Sequence, residues 1–337
     1  MARPSFTEAL ARRPWLLADG ATGTNYFQMG LESGDAPEMW NFEHPDRVRD
    51  LHRRFIEAGA DIVLTNTFGG NRHRLKLHNA QDQVREINMA AAKNARSEAD
   101  VAGRTVYVGG SMGPTGEIFQ PVGAMSHEDG VAAFEEQAHA LKEGGVDVLW
   151  IETMSGEEEL RAAVEGAAKA GLPLVTTMSF DTNGRTMMGI TPKAFGALAA
   201  SLSTQPVAIG ANCGVGASEL IATVLGITEA RPDAAVVAKG NCGIPQYADG
   251  HIHYSGTPEL MADYARIALD AGAKIIGGCC GTSPDHLAAM RKSLETYTKG
   301  SRPTVELIEQ RLGPVSVLAK GIDTAAEGAA KRERRRG

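Results

Sequence analysis

Short apolar runs rich in Val and Ile recur along the chain, and segments with helical spacing separate them. The runs are almost continuously apolar, which is typical of parallel strands buried on both faces. Strand alternates with helix throughout, so the pattern predicts an α/β fold, a (β/α)8 TIM barrel with a C-terminal extension. The predicted strands are Trp15–Ala21, Asp61–Phe68, Thr105–Ser111, Val146–Thr153, Leu172–Phe180, Val207–Cys213, Ala235–Gly240 and Lys274–Cys279.

A glycine motif precedes several of these strands. It occurs as Glu-Ala-Gly-Ala-Asp at 57–61, Glu-Gly-Gly-Val-Asp at 143–147, Lys-Ala-Gly-Leu-Pro at 169–173 and Asp-Ala-Gly-Ala-Lys at 270–274. A glycine after a helix takes up the left-handed conformation that turns the chain toward the next strand. The motif therefore marks the loops that join helices to strands in successive barrel units.

The barrel pattern is lost near Gly300. We therefore predict a barrel over residues 1–299 and a C-terminal arm with a basic tail over residues 300–337. Residues 303–320 could form a further helix or arm that packs on the barrel or on a second subunit of a homo-oligomer. Lys331–Arg336 is a charge run at a chain end, which is typical of a solvated, disordered tail.

Composition narrows the class of protein. With 43% hydrophobic and 22% charged residues the chain is globular, and a formal net charge of -7 argues against a nucleic-acid surface. We find neither a secretory signal pattern nor an apolar run of about 18 residues, so we expect a cytoplasmic protein that does not enter a membrane. Four cysteines, two of them adjacent, suit a reduced compartment and a metal better than disulfide bridges.

All four cysteines lie where predicted strands end: Cys213, Cys242, Cys279 and Cys280. In barrel enzymes the chemistry takes place at the carboxyl ends of the strands. One such cysteine is usually a small buried apolar residue, but four at one rim favour a metal site. Thiolates are preferred ligands of Zn²⁺, and three protein ligands leave a catalytic zinc one exchangeable position. Cys279 and Cys280 supply two ligands, and spacing does not distinguish Cys213 from Cys242 as the third.

Three thiolates indicate the kind of chemistry. They make zinc electron-rich, and therefore a poor Lewis acid for water but a good host for a substrate sulfur. Coordination releases the proton of a thiol, whose ordinary pKa is about 8.5, so the substrate becomes a nucleophile without a general base. Zinc hydrolases usually have His and carboxylate ligands instead. We therefore predict no catalytic residue beyond the zinc centre.

These motifs resemble the homocysteine S-methyltransferase family over roughly residues 14–297. The most specific are Gly277-Gly278-Cys279-Cys280-Gly281-Thr282, followed by Pro284 and His286, and Gly210-Ala211-Asn212-Cys213-Gly214; Asp19-Gly20-Ala21-Thr22-Gly23-Thr24 and Asn66-Thr67-Phe68 add support. The resemblance implies a (β/α)8 barrel that transfers a methyl group to the thiolate of zinc-bound homocysteine, giving methionine. It also implies that Cys213, Cys279 and Cys280 hold the zinc and that Cys242 is a neighbouring free thiol.

The substrate site is also predicted through the resemblance. It implies that Asp19, Gly20 and Glu152 line the homocysteine pocket, where a carboxylate is a suitable partner for the substrate ammonium group. We add Ser111 and Asn66, which lie at the ends of neighbouring predicted strands, as further substrate-binding residues.

The methyl donor is the least determined part of the prediction. Overall similarity to bacterial betaine–homocysteine methyltransferases, which includes Gly240-Asn241-Cys242-Gly243-Ile244-Pro245 and Ile252-His253-Tyr254, favours a betaine-type donor. Binding of a quaternary ammonium such as betaine favours a cage of aromatic side chains. Gly69 and Thr153 stand where the animal betaine enzyme has tyrosines, and in this the chain is more similar to the homocysteine module of cobalamin-dependent methionine synthase. Trp40, Tyr26 and Phe27 are candidates either for a different cage or for ordinary packing.

Two alternative functions are open. In the first, the chain is the homocysteine-activating subunit of a divided methionine synthase and takes its methyl group from methylcobalamin on a corrinoid partner protein. In the second, it is a phosphate-binding barrel lyase or isomerase. The glycine-rich segment 109–116 would then bind an anion, and the cysteines would be structural.

Overall fold

A parallel sheet of eight strands forms the framework of the protein. The computed structural model describes residues 3–243, 245–248, 251–316 and 319. Its strands are β1 (Leu16–Leu17), β2 (Ile62–Leu64), β3 (Tyr107–Met112), β4 (Val148–Met154), β5 (Leu174–Met178), β6 (Ala208–Cys213), β7 (Val236–Gly240), β8 (Pro245–Ala248), β9 (His251–Tyr254) and β10 (Ala273–Gly278). Strands β8 and β9 form a separate antiparallel hairpin between β7 and β10.

The parallel strands close into a barrel. Their order is β1-β10-β7-β6-β5-β4-β3-β2, and a parallel bridge between Ala18 and Ile62 joins the two edges. The amide of Asp19 donates to the carbonyl of Ile62 at 3.0 Å across this seam. The predicted (β/α)8 barrel is therefore confirmed, and each of the eight predicted strands overlaps an observed one. The β8–β9 hairpin was not predicted.

Helices surround the barrel. They are α1 (Phe6–Arg12), α2 (Gly23–Gln28), α3 (Trp40–Glu43), α4 (Pro45–Glu57), α5 (Arg72–Lys76), α6 (Val84–Asp100), α7 (His127–Gly144), α8 (Glu157–Ala168), α9 (Pro192–Ala200), α10 (Ala217–Ala230), α11 (Pro258–Asp270), α12 (Pro284–Glu295) and α13 (Val305–Leu312). Short 3-10 helices occupy Pro37–Met39 and Gln81–Gln83. Several helices begin with proline in the first turn, where its missing N–H costs no hydrogen bond. In α12, Ser283 caps the helix immediately before Pro284.

Two apolar layers arise because successive side chains of a strand point to opposite faces. The outer layer packs the strands against the helices. The inner layer fills the barrel, where Trp150 is fully buried and Phe6 and Leu10 of α1 pack at the lower end. The interior of the barrel is therefore a packed core, and the site is expected at the carboxyl-terminal ends of the strands.

The C-terminal part of the described chain packs on the barrel. Helix α13 buries Ile308 and Leu312, and beyond it the carbonyl of Pro314 accepts a hydrogen bond from Ser218 of α10 at 2.8 Å. Of the alternatives stated for residues 303–320, the structure shows a helix that packs on the barrel. Lys331–Arg336 lies outside the described residues. Among the described helices none is both long and apolar enough to cross a membrane.

The glycine motif has the predicted conformation at all four places. Gly59, Gly145, Gly171 and Gly272 have φ between 70° and 107°, in the left-handed region that glycine enters without steric cost. This conformation ends each helix and directs the chain into β2, β4, β5 and β10.

Asp61, the last residue of the first motif, lies at the amino-terminal ends of the strands, the lower end of the barrel, and its carboxylate joins several elements there. Its carboxylate is 2% exposed and accepts the amide of Leu17 at 2.9 Å. Arg13 and Arg291 donate to it at 2.8 and 3.2 Å, and the guanidinium of Arg104 lies 3.6 Å away. One buried carboxylate thus joins β1 and β2 to three cationic side chains.

We expect Asp61→Asn to lower the free energy of unfolding by about 2–3 kcal/mol. This is below the roughly 3–5 kcal/mol lost when a fully buried pair is broken, because the arginines are 25–37% exposed. Asp147 is the matched control, since it accepts the amide of Val108 at 2.8 Å and Arg96 at 2.8 Å but is 22% exposed. Asp147→Asn should cost about 1 kcal/mol. Urea denaturation measures both values, and equal losses would contradict the argument.

Candidate metal and substrate site

Three cysteine sulfurs converge at the carboxyl ends of β6 and β10. The Sγ atoms of Cys213, Cys279 and Cys280 lie within 4.8 Å of one another, and those of Cys213 and Cys280 are 4.0 Å apart. Two sulfurs on a tetrahedral zinc with Zn–S bonds of about 2.3 Å are roughly 3.8 Å apart. The sulfur cluster, as we call these three atoms, therefore has the spacing that a tetrahedral metal with thiolate ligands requires.

The cluster forms across an intervening strand. Strand β7 lies between β6 and β10, and its register aligns Gly240 with both Cys213 and Gly278. Cys213 has φ of 61°, an uncommon value for a residue other than glycine. This left-handed turn ends β6 at the ligand position and is one of the features that let its sulfur meet those of the β10 loop.

Hydrogen bonds hold the Cys279–Cys280 backbone in place. The amide of Cys279 donates to Gly240 at 2.7 Å, and the amide of Cys280 donates to the side-chain oxygen of Asn241 at 3.1 Å. The other end of the Asn241 amide donates to the carbonyl of Gly214 at 2.8 Å. Asn241 therefore links the loops that carry the ligands on either side of β7.

The crowded thiols favour a cation. Although contact with Cys279 acts in the opposite direction, contact with Cys280 and burial together raise the pKa of Cys213 to about 12. A divalent ion would supply the positive charge that lets such thiols ionise. Cys242 is fully buried, and burial alone raises its pKa to about 12. Among the described residues it does not join the group whose ligand atoms converge.

A buried ion pair lies at the upper end of the barrel interior. Lys239 on β7 and Asp19 after β1 are each 2% exposed, and their charged atoms are 2.7 Å apart. The other carboxylate oxygen of Asp19 accepts the amide of Leu64 at 2.7 Å. Burial lowers the pKa of Lys239, but the negative charges of Asp19 and Glu152 outweigh this effect and raise it overall. Lys239 therefore remains protonated and compensates two carboxylates.

Glu152 is the second carboxylate of this pocket. It is 8% exposed, and the hydroxyl of Ser111 donates to one of its oxygens. Burial raises the pKa of Glu152; Lys239 and Ser111 act in the opposite direction, and Asp19 raises the pKa further. The structure thus brings three predicted substrate residues, Asp19, Ser111 and Glu152, into one network around Lys239.

Gly20 allows close packing beside the cysteine loop, and Asn66 is held in place by a hydrogen bond. A Cβ atom on Gly20 would lie 2.5 Å from the carbonyl of Thr282 and 2.9 Å from the ring of Phe55, so only glycine fits beside the cysteine loop. The side-chain amide of Asn66 donates to the carbonyl of Pro37 at 2.6 Å. Both residues are buried near the mouth, and their contact with substrate remains a prediction.

A β-bulge positions Glu152. Between Ile151 and Met154, strand β4 has one residue more than β5, so Glu152 and Thr153 face Thr177 alone. Thr153 has φ of 64°, which costs a β-branched residue about 1–3 kcal/mol. Bulges of this kind redirect a side chain at the rim of a sheet.

Two of the three residues considered for an aromatic cage pack against each other. Tyr26 is fully buried with its ring centroid 5.2 Å from that of Trp40, and the guanidinium of Arg47 covers the ring of Trp40 at 5.0 Å. Phe27 is 54% exposed. The rings of Tyr26 and Trp40 are therefore engaged in packing, and a cation of the protein itself covers the face of Trp40.

Sequence reasoning missed Lys239 as a site residue. A charged residue within an apolar strand was the available signal, since Lys239 lies in the otherwise apolar run Ala235–Gly240. Tyr254, at the end of the β8–β9 hairpin, was also missed: it contacts the backbone of Gly281 and lies beside Cys280. Tyr254 reaches the cysteine loop only because of the β8–β9 hairpin, which the strand pattern did not predict.

Comparison with known proteins places these observations in a family. The chain is 31% identical to methionine synthase of Mycobacterium leprae over 317 residues and 29% identical to that of Mycobacterium tuberculosis over 341 residues. These alignments cover 89% and 93% of this chain, which spans only about a quarter of its relatives' length, 26% and 28%.

A solved structure shares the fold. The metallated form of the homocysteine methyltransferase MmuM from Escherichia coli matches with a TM-score of 0.71 and 24% identity, over 85% of this chain and 98% of that one. The model of the homocysteine S-methyltransferase family matches residues 16–294, which include the sulfur cluster and the carboxylate pocket. The chain belongs to the homocysteine S-methyltransferase family.

Proposed function

We propose that this protein is a zinc-dependent methyltransferase that converts homocysteine to methionine. The observation that carries the proposal is the sulfur cluster, whose three sulfurs lie within 4.8 Å in a chain of this family. Three thiolates at tetrahedral spacing suit zinc better than a hard cation, which prefers oxygen ligands. The methionine synthase relatives and the metallated form of MmuM support the same assignment.

The residues of the chain have separable tasks. Cys213, Cys279 and Cys280 would hold the metal. Zinc, when bound, would lower the pKa of the homocysteine thiol and so make it a nucleophile at neutral pH. Glu152 would pair with the substrate ammonium, supported by Asp19 as the second carboxylate of the pocket.

Methyl transfer then needs positioning more than acid–base chemistry. A sulfur lone pair forms the new S–C bond while the bond from the methyl carbon to its leaving group breaks, and that electron pair departs with the leaving group. The product is a neutral thioether. Within this pocket the protein's own contribution is to hold the ammonium end of the substrate so that the sulfur faces the donor.

The phosphate-binding alternative is disfavoured by the segment on which it depended. The backbone amide and hydroxyl of Thr115 both donate to the carboxylate of Glu159, at 2.7 and 2.6 Å. A Cβ atom on Gly113 would lie 2.5 Å from the carbonyl of Phe68, so this glycine allows close packing. The segment therefore already binds a carboxylate of the protein itself.

Exposed apolar side chains near the site favour a methyl donor carried by a protein over betaine. They lie in the loops after β2, β3 and β5 and include Phe68, Ile118, Val122, Met187 and Met188, which are 39–75% exposed. Apolar residues clustered around a site favour contact with a macromolecule over a small polar donor. A corrinoid partner carrying methylcobalamin would use such a rim.

We expect the purified protein to bind about one zinc per chain and Cys280→Ala to lose it, because two thiolates with an open site bind zinc weakly. Cys242→Ala removes a thiol from the same rim and is the matched control. It should keep its zinc. Elemental analysis after dialysis measures the metal content, with a thermal melt to confirm folding. Full zinc retention by Cys280→Ala would contradict the site.

The donor is identified by direct assay. Purified protein is incubated with homocysteine and either betaine, S-methylmethionine or methylcobalamin, and methionine is quantified. Because Tyr26 and Trp40 are engaged in packing and the rim is apolar, we expect turnover with methylcobalamin to exceed turnover with betaine. Efficient turnover with betaine alone would exclude the corrinoid partner, and no methionine with any donor would count against the proposed acceptor.

Homocysteine binding should weaken as pH falls. Burial raises the pKa of Glu152, so this carboxyl takes up a proton at a higher pH than an exposed glutamate and then loses its attraction for ammonium. The KM for homocysteine should therefore be lowest above that pKa and rise as pH is lowered through it. Glu152→Gln should raise KM about 10–100-fold and remove this dependence. Profiles from pH 5 to 9 test it, with equal zinc content as control; an unchanged KM would refute the role.

A further inference from the structure

We propose that Asn212 sets the separation between the sulfur cluster and Glu152, and that this separation selects homocysteine among thiol amino acids. The inference rests on the function proposed above and makes Asn212 a positioning residue that acts through its neighbours. Its side chain is fully buried and extends from β6 across β5 to the bulge of β4.

Both ends of the Asn212 amide are engaged. Its oxygen accepts the backbone amide of Thr153 at 2.9 Å and the hydroxyl of Thr177 at 2.6 Å. Its nitrogen donates to the hydroxyl of Thr153 at 2.7 Å. Since the oxygen only accepts and the nitrogen only donates, these contacts fix one orientation of the side chain.

The contacts fall on a residue that needs external support. Thr153 has φ of 64°, a conformation that its branched side chain disfavours, and it directly follows Glu152 in the bulge. Asn212 binds Thr153 through both the backbone and the side chain, so it opposes relaxation of the bulge toward a regular strand. The direction of the Glu152 carboxylate therefore depends on Asn212.

The same residue is attached to the sulfur cluster. Cys213 directly follows Asn212 and itself has φ of 61°. The Asn212 nitrogen also lies 4.0 Å from the sulfur of Cys279. One rigid side chain thus links the part of the site that would take the substrate sulfur to the part that would take its ammonium group.

A fixed separation discriminates by length. Homocysteine has one methylene more than cysteine between its thiol and its amino-bearing carbon, so only one of the two can reach both parts without distortion. A single methylene changes enzyme specificity by about 10–200-fold. If the bulge relaxes, Glu152 loses alignment and the advantage of the correct length is reduced.

The test measures dissociation constants on zinc-loaded protein by calorimetry for homocysteine, for cysteine and for 4-sulfanylbutanoate, which is homocysteine without its ammonium group. We expect the wild-type protein to bind homocysteine about 10–100-fold more tightly than 4-sulfanylbutanoate. Asn212→Ala should reduce that ratio below about threefold, chiefly by weakening homocysteine, and should reduce discrimination against cysteine in parallel. A merely structural role would weaken all three ligands together.

Thr177→Val is the matched control, because it removes a hydrogen bond to the same amide oxygen but leaves both contacts to Thr153. Its ligand ratios should equal those of the wild type. If Asn212→Ala does not fold, Asn212→Ser replaces it, since a serine hydroxyl keeps a polar group at the buried position but is too short to make both contacts to Thr153; the same loss of the ratios is expected.

Unchanged ratios in the folded variant would overturn the inference while leaving the proposed function intact. Equal wild-type affinity for homocysteine and 4-sulfanylbutanoate would overturn it as well, because Glu152 would then not bind the ammonium group. A wild-type protein that binds no homocysteine when zinc-loaded would refute the proposed function itself, so the two failures are distinguishable.

Discussion

The site depends on one geometric constraint: sulfurs from two strands that are not neighbours must meet above the strand between them. Cys213 ends β6, and Cys279 and Cys280 follow β10, with β7 lying between these strands. The constraint is met by a left-handed residue at Cys213 and by Asn241, which binds the loops on both sides. The three crowded sulfurs are held at the spacing that a common metal ion would require because the backbone leaves them little freedom.

The grouping of charges around Lys239 also depends on closure of the barrel. Lys239 points inward from β7 and reaches Asp19 beyond β1, two strands away around the barrel. Two carboxylates with one lysine leave one negative charge when Glu152 is ionised, which is the charge that the proposed pairing with a substrate ammonium requires. Burial alone would lower the pKa of Lys239, and the two carboxylates reverse that shift. In return, the charge of Lys239 opposes the rise in the pKa of Glu152 that burial causes.

The sequence predicted the repeating framework more completely than the contacts within the site. The eight strands were recognisable because strands buried on both faces must be apolar, and the loop glycines because few other residues accept positive φ. Spacing did not distinguish Cys213 from Cys242, since both follow strand ends; family resemblance identified the set that the structure brings together. Lys239 and Asn212 have partners 220 and 59 residues away in sequence. Local patterns carry no information about such pairs.

Backbone strain distinguishes the residues that stabilise the lower end of the barrel from those that lie at the site. Residues that tie the lower end together, such as Asp61 and Gly59, have conformations or partners that suit their chemistry. At the carboxyl ends, by contrast, Thr153 and Cys213 have left-handed backbones that side chains disfavour. Such strain persists only where surrounding contacts over-determine the conformation. Asn212 binds the first of these residues and directly precedes the second. The unfavourable conformations therefore lie at the two points where orientation of a carboxylate and of a sulfur determines what the pocket can hold.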